Sequence, residues 1–418
     1  MCRLYLFAIL LMLITGCSDK HAGSVVSDIA LTVEYANANW YENGRFVHRS
    51  GFVQNGEFVE APGNGAGSII DLGEKYVVPG FAEAHHHTVL CDAERIEQFL
   101  DAGIVYVAIM NARVSSRSCQ SQVHGRDMLE VMNALAGLTA HNAHPYQIGL
   151  YFLEENQIDG EWVHYVDHLS DLDSVWPRVL RSAPDVVKIF LSYTENHAQL
   201  REDMSLASWY RGLDPTLAAP IVSRAHDAGL RVVAHVMSAH DFQVAIEAGV
   251  DLIGHMPGFA PGAAFTEDDS HPWLSMLAAE PEHYLITPAV AAMAAERGTA
   301  VVTTVSGGGD PTAAIIANFK MLDEAGVTLL IGSDRGEYNS VDEAVYLVEQ
   351  KLMTPTDVLY SIAVATPQYL FPQRNIGSLT VGSEATFVVL PSELVANFDA
   401  IREVEWVVKR GNVLRSPN

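Results

Sequence analysis

Residues 77–88 read VVPGFAEAHHHT. An apolar run enters a Pro-Gly turn and leaves it as a short strand that ends in three histidines. Successive side chains of a strand point to opposite faces, so His85 and His87 share a face and His86 turns away. Two imidazoles side by side at a strand end are a ready pair of metal ligands. A bare His-X-His pair is more often a solvated accident. The metal reading therefore depends on what the rest of the chain supplies.

Beyond this stretch a helix-like segment stops at a glycine five times, and a strand-like run follows each time. The five are LDAGIVYVAIM (100–110), HDAGLRVVAHV (226–236), IEAGVDLIGHM (246–256), AERGTAVVTTV (295–305) and DEAGVTLLIGS (323–333). Glycine suits the left-handed residue that closes a helix. The runs after it are nearly unbroken in Val, Ile, Leu and Ala, as parallel strands buried on both faces should be. Adding the histidine strand, PYQIGLYF (145–152) and DVVKIFLSY (185–193) gives eight strands. Helices are expected at Glu94–Ala102, Asp127–Ala136, Thr216–Ala228 and Asp241–Ala248. Eight alternating units fit a (β/α)8 barrel better than an open doubly wound sheet. No glycine-rich phosphate fingerprint follows any strand, which counts against a dinucleotide fold.

The flanks have a different texture. Residues 25–76 alternate apolar stretches with turn clusters and carry Asn-Gly at 43–44 and 55–56, a strong hairpin signal. Residues 375–418 return to strands and turns after helices expected at Ser340–Leu352 and Thr354–Ala365. The simplest arrangement joins the two flanks as one small β-sandwich domain beside a barrel of residues 77–374.

Residues 1–16 read as an export signal. Arg3 gives a basic start, and LYLFAILLMLI is an apolar run too short to span a bilayer comfortably. The run closes with LITGCS, which resembles a bacterial lipobox. By that resemblance Cys17 is the lipidated first residue of the mature protein. Residues 17–24 are then a polar tether, and Ser18 after the cysteine is compatible with an outer-membrane anchor facing the periplasm. Cys91 and Cys119 remain in the exported part, where a disulfide is permitted, and sequence leaves their pairing open. The chain of 418 residues is 49% apolar, enough for a sizeable core, and its formal net charge is −26. Such acidity argues against nucleic acid or an anionic membrane surface as partner. A small-molecule substrate is expected, with membrane contact only through the lipid; homo-oligomerisation stays open.

In a (β/α)8 barrel the chemistry sits at the carboxyl ends of the strands. On this map strand one ends in His85 and His87, strand five in His235, strand six in His255 and strand eight in Asp334. Strand four carries Lys188 inside an apolar run. Singly each has an ordinary explanation: a surface histidine, a snorkelling lysine, a capping aspartate. Their fall at the ends of five separate strands is harder to dismiss.

This order resembles the amidohydrolase superfamily over nearly the whole mature chain, and within it the imidazolonepropionases and the Xaa-Pro and Xaa-Arg/Lys dipeptidases. The resemblance implies that His85, His87, His235, His255 and Asp334 bind two divalent ions, zinc by expectation, with Lys188 carboxylated as a bridge. It implies hydrolysis of an amide, cyclic amide or dipeptide C–N bond by a hydroxide held between the metals, with Asp334 handling protons. Tyr193 is either a donor to the carbonyl oxygen in the transition state or a packed rim residue. His240 and Arg335 are candidate substrate contacts, Arg335 for a carboxylate. The chain departs from the family pattern at Glu83 and Thr386, where Asp is usual, at the bulky His86, and in strand two. Two other readings remain: a mononuclear zinc deaminase of the same fold using His85, His87, His235 and Asp334, and a non-catalytic metal- or ligand-binding lipoprotein.

Overall fold

The computed structural model describes residues 32–87, 91–125, 128–258, 281–306 and 309–417. The expected signal, Cys17 and the tether lie outside the described residues. Strands β1 (Val33–Glu42), β2 (Arg45–Gln54), β3 (Glu57–Val59), β4 (Ser68–Asp71) and β5 (Tyr76–Pro79) come first. Asn43 and Gly44 turn β1 into β2 with φ of 48° and 83°; Asn55 and Gly56 turn β2 into β3 with 55° and 87°. Two left-handed residues in a row match the twist of a two-residue hairpin.

The central strands are β6 (Phe81–His86), β7 (Ile104–Ile109), β8 (Glu130–Asn133), β9 (Gly137–Thr139) and β10 (Val163–Tyr165). They continue as β11 (Val186–Phe190), β12 (Arg231–His235), β13 (Leu252–Ile253), β14 (Ala300–Val302) and β15 (Leu329–Leu330). The five glycines that precede β7, β12, β13, β14 and β15 all have left-handed φ, between 69° and 86°. The chain closes with β16 (Phe387–Leu390), β17 (Trp406–Lys409) and β18 (Asn412–Arg415).

One expected strand is corrected. PYQIGLYF is a helical turn at Tyr146–Gly149, followed by Leu150, Tyr151 and Phe152 on the surface. The third strand lies earlier, in β8 and β9, where the helix Asp127–Ala136 was expected. Met, Leu and Ala there favour a helix, but every side chain of β8 is buried. A short fully buried run cannot be told from a helix by periodicity, and tertiary packing decides it. Leu135, with φ of 53°, breaks the segment into its two halves.

Strands β10-β9-β11-β12-β13-β14-β15 form one parallel sheet and β6-β7-β8 a second. They share the 130–139 segment. Across the other gap the Ala84 N–H donates to the Ile331 carbonyl at 2.9 Å and the Asp334 N–H to the His85 carbonyl at 2.7 Å. Among the described residues the ladders do not run on into one closed barrel.

The flanking strands make one mixed sheet in the order β18-β17-β16-β5-β1-β2-β3, with β4 also on β1. Strands from both flanks thus share one set of ladders. Trp40, Tyr35 and Phe387 form its core, with Tyr35 and Phe387 rings edge-on at 4.9 Å. Gly51 is required there, because a Cβ would lie 2.4 Å from the Trp40 ring. Cys91 and Cys119 form a disulfide, with Cα atoms 5.4 Å apart. Among the described residues no helix is long and apolar enough to cross a membrane.

Candidate active site

The histidine strand delivers its side chains alternately. His85 Nε2 lies 3.1 Å from His87 Nε2, while His86 packs on Phe99 and its Nε2 approaches the Tyr338 carbonyl. His85 is fully buried and its Nδ1 is 2.9 Å from the Gly254 carbonyl. That contact makes Nδ1 the protonated nitrogen and leaves the Nε2 lone pair facing the site. His87 Nδ1 is turned to the Asn111 carbonyl at 3.3 Å.

Asp334 closes the pair from the last strand. Its Oδ1 lies 2.8 Å from His87 Nε2 and 3.3 Å from His85 Nε2. Its Oδ2 is 3.5 Å from His255 Nδ1. Burial alone would raise its carboxyl, but His85, His87 and Lys188 together hold it well below the usual carboxylate range. Its φ of 54° is left-handed, a conformation aspartate tolerates better than most residues.

His255 and His235 stand next along the rim. The His85 and His255 rings are 4.5 Å apart, and the His235 and His255 rings 4.8 Å. Burial drives His85, His235 and His255 well below their ordinary pKa. Neutral imidazoles of this kind have lone pairs available for a metal.

Lys188 sits on β11 beside this cluster and is 1% exposed. Its Nζ has no hydrogen-bond partner among the described residues. Burial pushes its pKa down to about 7, against the opposing pull of Asp334. An unpaired buried ammonium costs several kcal/mol of the order set by ion desolvation. Gly254 makes room for it: a Cβ there would lie 3.0 Å from Lys188 Nζ and 3.1 Å from His85 Cε1.

These residues fit a divalent-cation centre. His85, His255 and Asp334 each offer a ligand atom within 4.8 Å of the others, and His87, His235 and the orphaned Lys188 border them. Imidazole nitrogens and a carboxylate are the donor types zinc prefers. Beneath them Glu83 is fully buried and accepts from the His85 N–H, the Ser333 N–H and the Ser333 hydroxyl, all at 2.9 Å. Burial lifts its carboxyl to about 8. It ties the first strand to the last at the level of the ligands.

The other candidates are placed differently. Tyr193, also left-handed at φ 49°, shares its hydroxyl with Tyr284 at 3.2 Å and packs on Tyr210. Burial raises its phenol far above the ordinary range, so it stays protonated. His240 Nδ1 contacts the Thr194 hydroxyl at 2.9 Å and lies 3.9 Å from Glu195. Arg335 is buried directly after Asp334. Glu195, His240 and Asp241 form a second group with metal-like spacing, but Asp241 is already used. It accepts the backbone N–H of Tyr193, Thr194, Met237 and Ser238 and the Thr194 hydroxyl. That group organises the loops after β11 and β12.

Sequence reasoning missed His144 and Thr304. His144 stacks on His235 with rings 4.3 Å apart, and burial pushes its pKa down to about 3. Placing the third strand at 130–139 would have put His144 just beyond a strand end. Thr304, at the end of β14, sets its hydroxyl 3.1 Å from His255 Nδ1; no local sequence signal marks it.

No family model and no curated protein matches the sequence. Solved structures match its fold. An ochratoxinase from A. niger superposes with a TM-score of 0.70 at 15% identity, covering 93% of this chain and 96% of that one. A Xaa-Pro dipeptidase with bound methionine in its active site gives 0.69 at 16% identity, covering 92% and 100%. A structure described as an amidohydrolase gives 0.68 at 16%, covering 92% and 99%. The chain shares the fold of these solved hydrolases.

Proposed function

We propose that this chain is a metal-dependent amidohydrolase that hydrolyses a C–N bond, amide, cyclic amide or dipeptide, in a small molecule. The observation that carries the reading is Lys188: a buried lysine whose Nζ has no hydrogen-bond partner among the described residues, beside His85, His235, His255 and Asp334. In this reading the two parallel sheets are arcs of one (β/α)8 barrel, and the flanks form its small β domain. The solved hydrolases of the same fold support the activity.

His85, His87, His235, His255 and Asp334 would hold two divalent cations, with Lys188 as a carbamate. The carbamate forms when the ammonium first loses a proton and the resulting neutral amine then adds to carbon dioxide and loses a second, so that two protons leave and a positive charge is exchanged for a negative one. Bound cations supply Lewis acidity, polarising a carbonyl oxygen and lowering the pKa of water toward neutrality. Asp334 Oδ2 would take a proton from the attacking water and return it to the leaving nitrogen. The buried imidazoles remain neutral and keep their lone pairs. Tyr193 Oη is the candidate donor to the carbonyl oxygen, and His240 and Arg335 are the candidate substrate contacts.

The protein is proposed to be exported and anchored by lipid at Cys17 in the bacterial envelope. Cys17→Ser should then abolish processing and detergent partitioning. For the activity, Lys188→Ala should keep the fold while metal content falls from about two ions toward one and most turnover is lost. A short-chain carboxylic acid should restore part of it. Parent-like metal content and turnover in Lys188→Ala would remove the binuclear reading. Absence of hydrolysis by metal-loaded enzyme across dipeptides, N-acyl amino acids, lactones and cyclic amides would remove the activity.

A further inference from the structure

Thr304 has a conformation that its side chain disfavours. Its φ is 48°, and a β-branched residue in the left-handed region is a genuine outlier. Such strain persists only where surrounding contacts over-determine it, and it collects at functional sites. Here the contacts are identifiable. The Thr304 N–H donates to the Gly332 carbonyl at 3.2 Å. Glu343, fully buried on the helix Ser340–Glu349, takes the next two backbone donors: Val305 N–H at 2.9 Å and Ser306 N–H at 2.7 Å. A carboxylate bonded to consecutive amides fixes the turn that follows Thr304. The result is a hydroxyl aimed at His255 Nδ1, 3.1 Å away and closer than the Asp334 Oδ2 that faces the same nitrogen at 3.5 Å. Glycine would adopt this backbone without strain, yet it would offer nothing to His255.

We propose that Thr304 is a positioning residue for the metal centre: its hydroxyl accepts from His255 Nδ1–H and so presents Nε2 of His255 as the ligand. The proposal rests on the metal-dependent reading above. The partner of a ligating histidine's other nitrogen fixes both tautomer and ring orientation, and its loss weakens metal affinity by about tenfold to a hundredfold. Glu343 acts one step further back, by holding the turn.

The test compares Thr304→Gly and Thr304→Ser with the parent. It reads zinc affinity by chelator competition and the thermal unfolding midpoint of the metal-free proteins. Thr304→Gly relieves the backbone but takes an acceptor from the buried His255 Nδ1–H, two opposed effects, so its metal-free midpoint should stay near the parent's while zinc binds about tenfold to a hundredfold more weakly. Thr304→Ser keeps the hydroxyl and should keep the parent's affinity. A parent that binds zinc with a Thr304→Gly variant that binds it equally well overturns the positioning role and leaves the metal reading standing. Equal weakening in the Gly and Ser variants also overturns it, because the hydroxyl would not then be the cause. A parent that binds no divalent cation overturns both.

Discussion

Asp334 meets His85 twice, once through its backbone and once through its side chain. Its backbone N–H donates to the His85 carbonyl at 2.7 Å, and its Oδ1 lies 3.3 Å from His85 Nε2. The first and last central strands therefore meet at the two residues proposed to carry metal and proton. The backbone bond sets the left-handed turn at Asp334, and the turn aims the carboxylate. Asparagine also tolerates that conformation, so Asp334→Asn should leave the fold intact. It removes the charge and the proton-accepting oxygen. Turnover should fall about a hundredfold to ten-thousandfold, the range for losing a general acid–base group. Steady-state kinetics beside a thermal melt checks this; parent-like turnover would reassign the proton carrier.

Gly254 supplies a second prediction. A Cβ there would stand 3.0 Å from Lys188 Nζ, 3.1 Å from His85 Cε1 and 3.2 Å from the Ala234 carbonyl. The lysine can bend away, but the backbone carbonyl cannot. Gly254→Ala should cost about 1–3 kcal/mol of stability, as overpacking usually does. It should also lower metal content, because it displaces the lysine and one ligand together. An Ala variant with the parent's melting point and metal content would show that the site has more room than its geometry gives.

Much of this was legible because burial and chemistry left a mark on composition. Glycines before apolar runs announced helix ends and parallel strands, and Asn-Gly pairs announced hairpins. His85, His87, His235, His255 and Asp334 could be named because polar residues stand out at the ends of apolar runs. Lys188 stood out inside one. The third strand was illegible because EVMN reads equally well as a helix, and its one charge is neutralised by residues far along the chain. Glu130 meets Lys409 at 3.0 Å and Arg374 at 3.1 Å. Thr304 was illegible for another reason: its role lies in its backbone angle and its neighbour, and a Thr-Thr-Val run in a strand carries neither.

The Glu130 contacts lead to a third prediction. Lys409, on β17 of the flanking sheet, is fully buried. Its Nζ donates to the carbonyls of Gly125 and Met128 as well as facing Glu130. It joins the flanking sheet to the third central strand. Lys409→Met would take a donor from both carbonyls and leave Glu130 with Arg374 at 3.1 Å, His124 at 3.3 Å and Arg410 at 3.4 Å. The cost should be about 3 kcal/mol, near the low end for breaking a buried pair because one strong partner remains. Adding Glu130→Gln should cost less in the Lys409→Met background than in the parent, because the pair between the two residues is already gone. Urea melts of the single and double variants check both signs. A Lys409→Met variant as stable as the parent would make the join incidental.

His164 gives the fourth, in pH dependence. It lies on β10, only 2% exposed, and neither ring nitrogen has a hydrogen-bond partner among the described residues. Burial first, and then Arg178, push its pKa from 6.5 down to about 4, with Asp159 opposing. The unfolded chain therefore binds the proton at a higher pH than the folded one. Its contribution is constant above pH 6.5, is lost as pH falls from 6.5 to about 4, and changes no further below that. The loss across that window should be about 3 kcal/mol. Other buried histidines titrate in the same direction, so the parent alone cannot isolate this one. His164→Met removes the proton site and fills similar space, and a buried group with no partner sacrifices no hydrogen bond. The variant should match or exceed the parent at pH 7, and its advantage should grow by that amount as the pH is lowered to 4. Parallel stability curves for parent and variant would mean that His164 has a proton-accepting partner in solution.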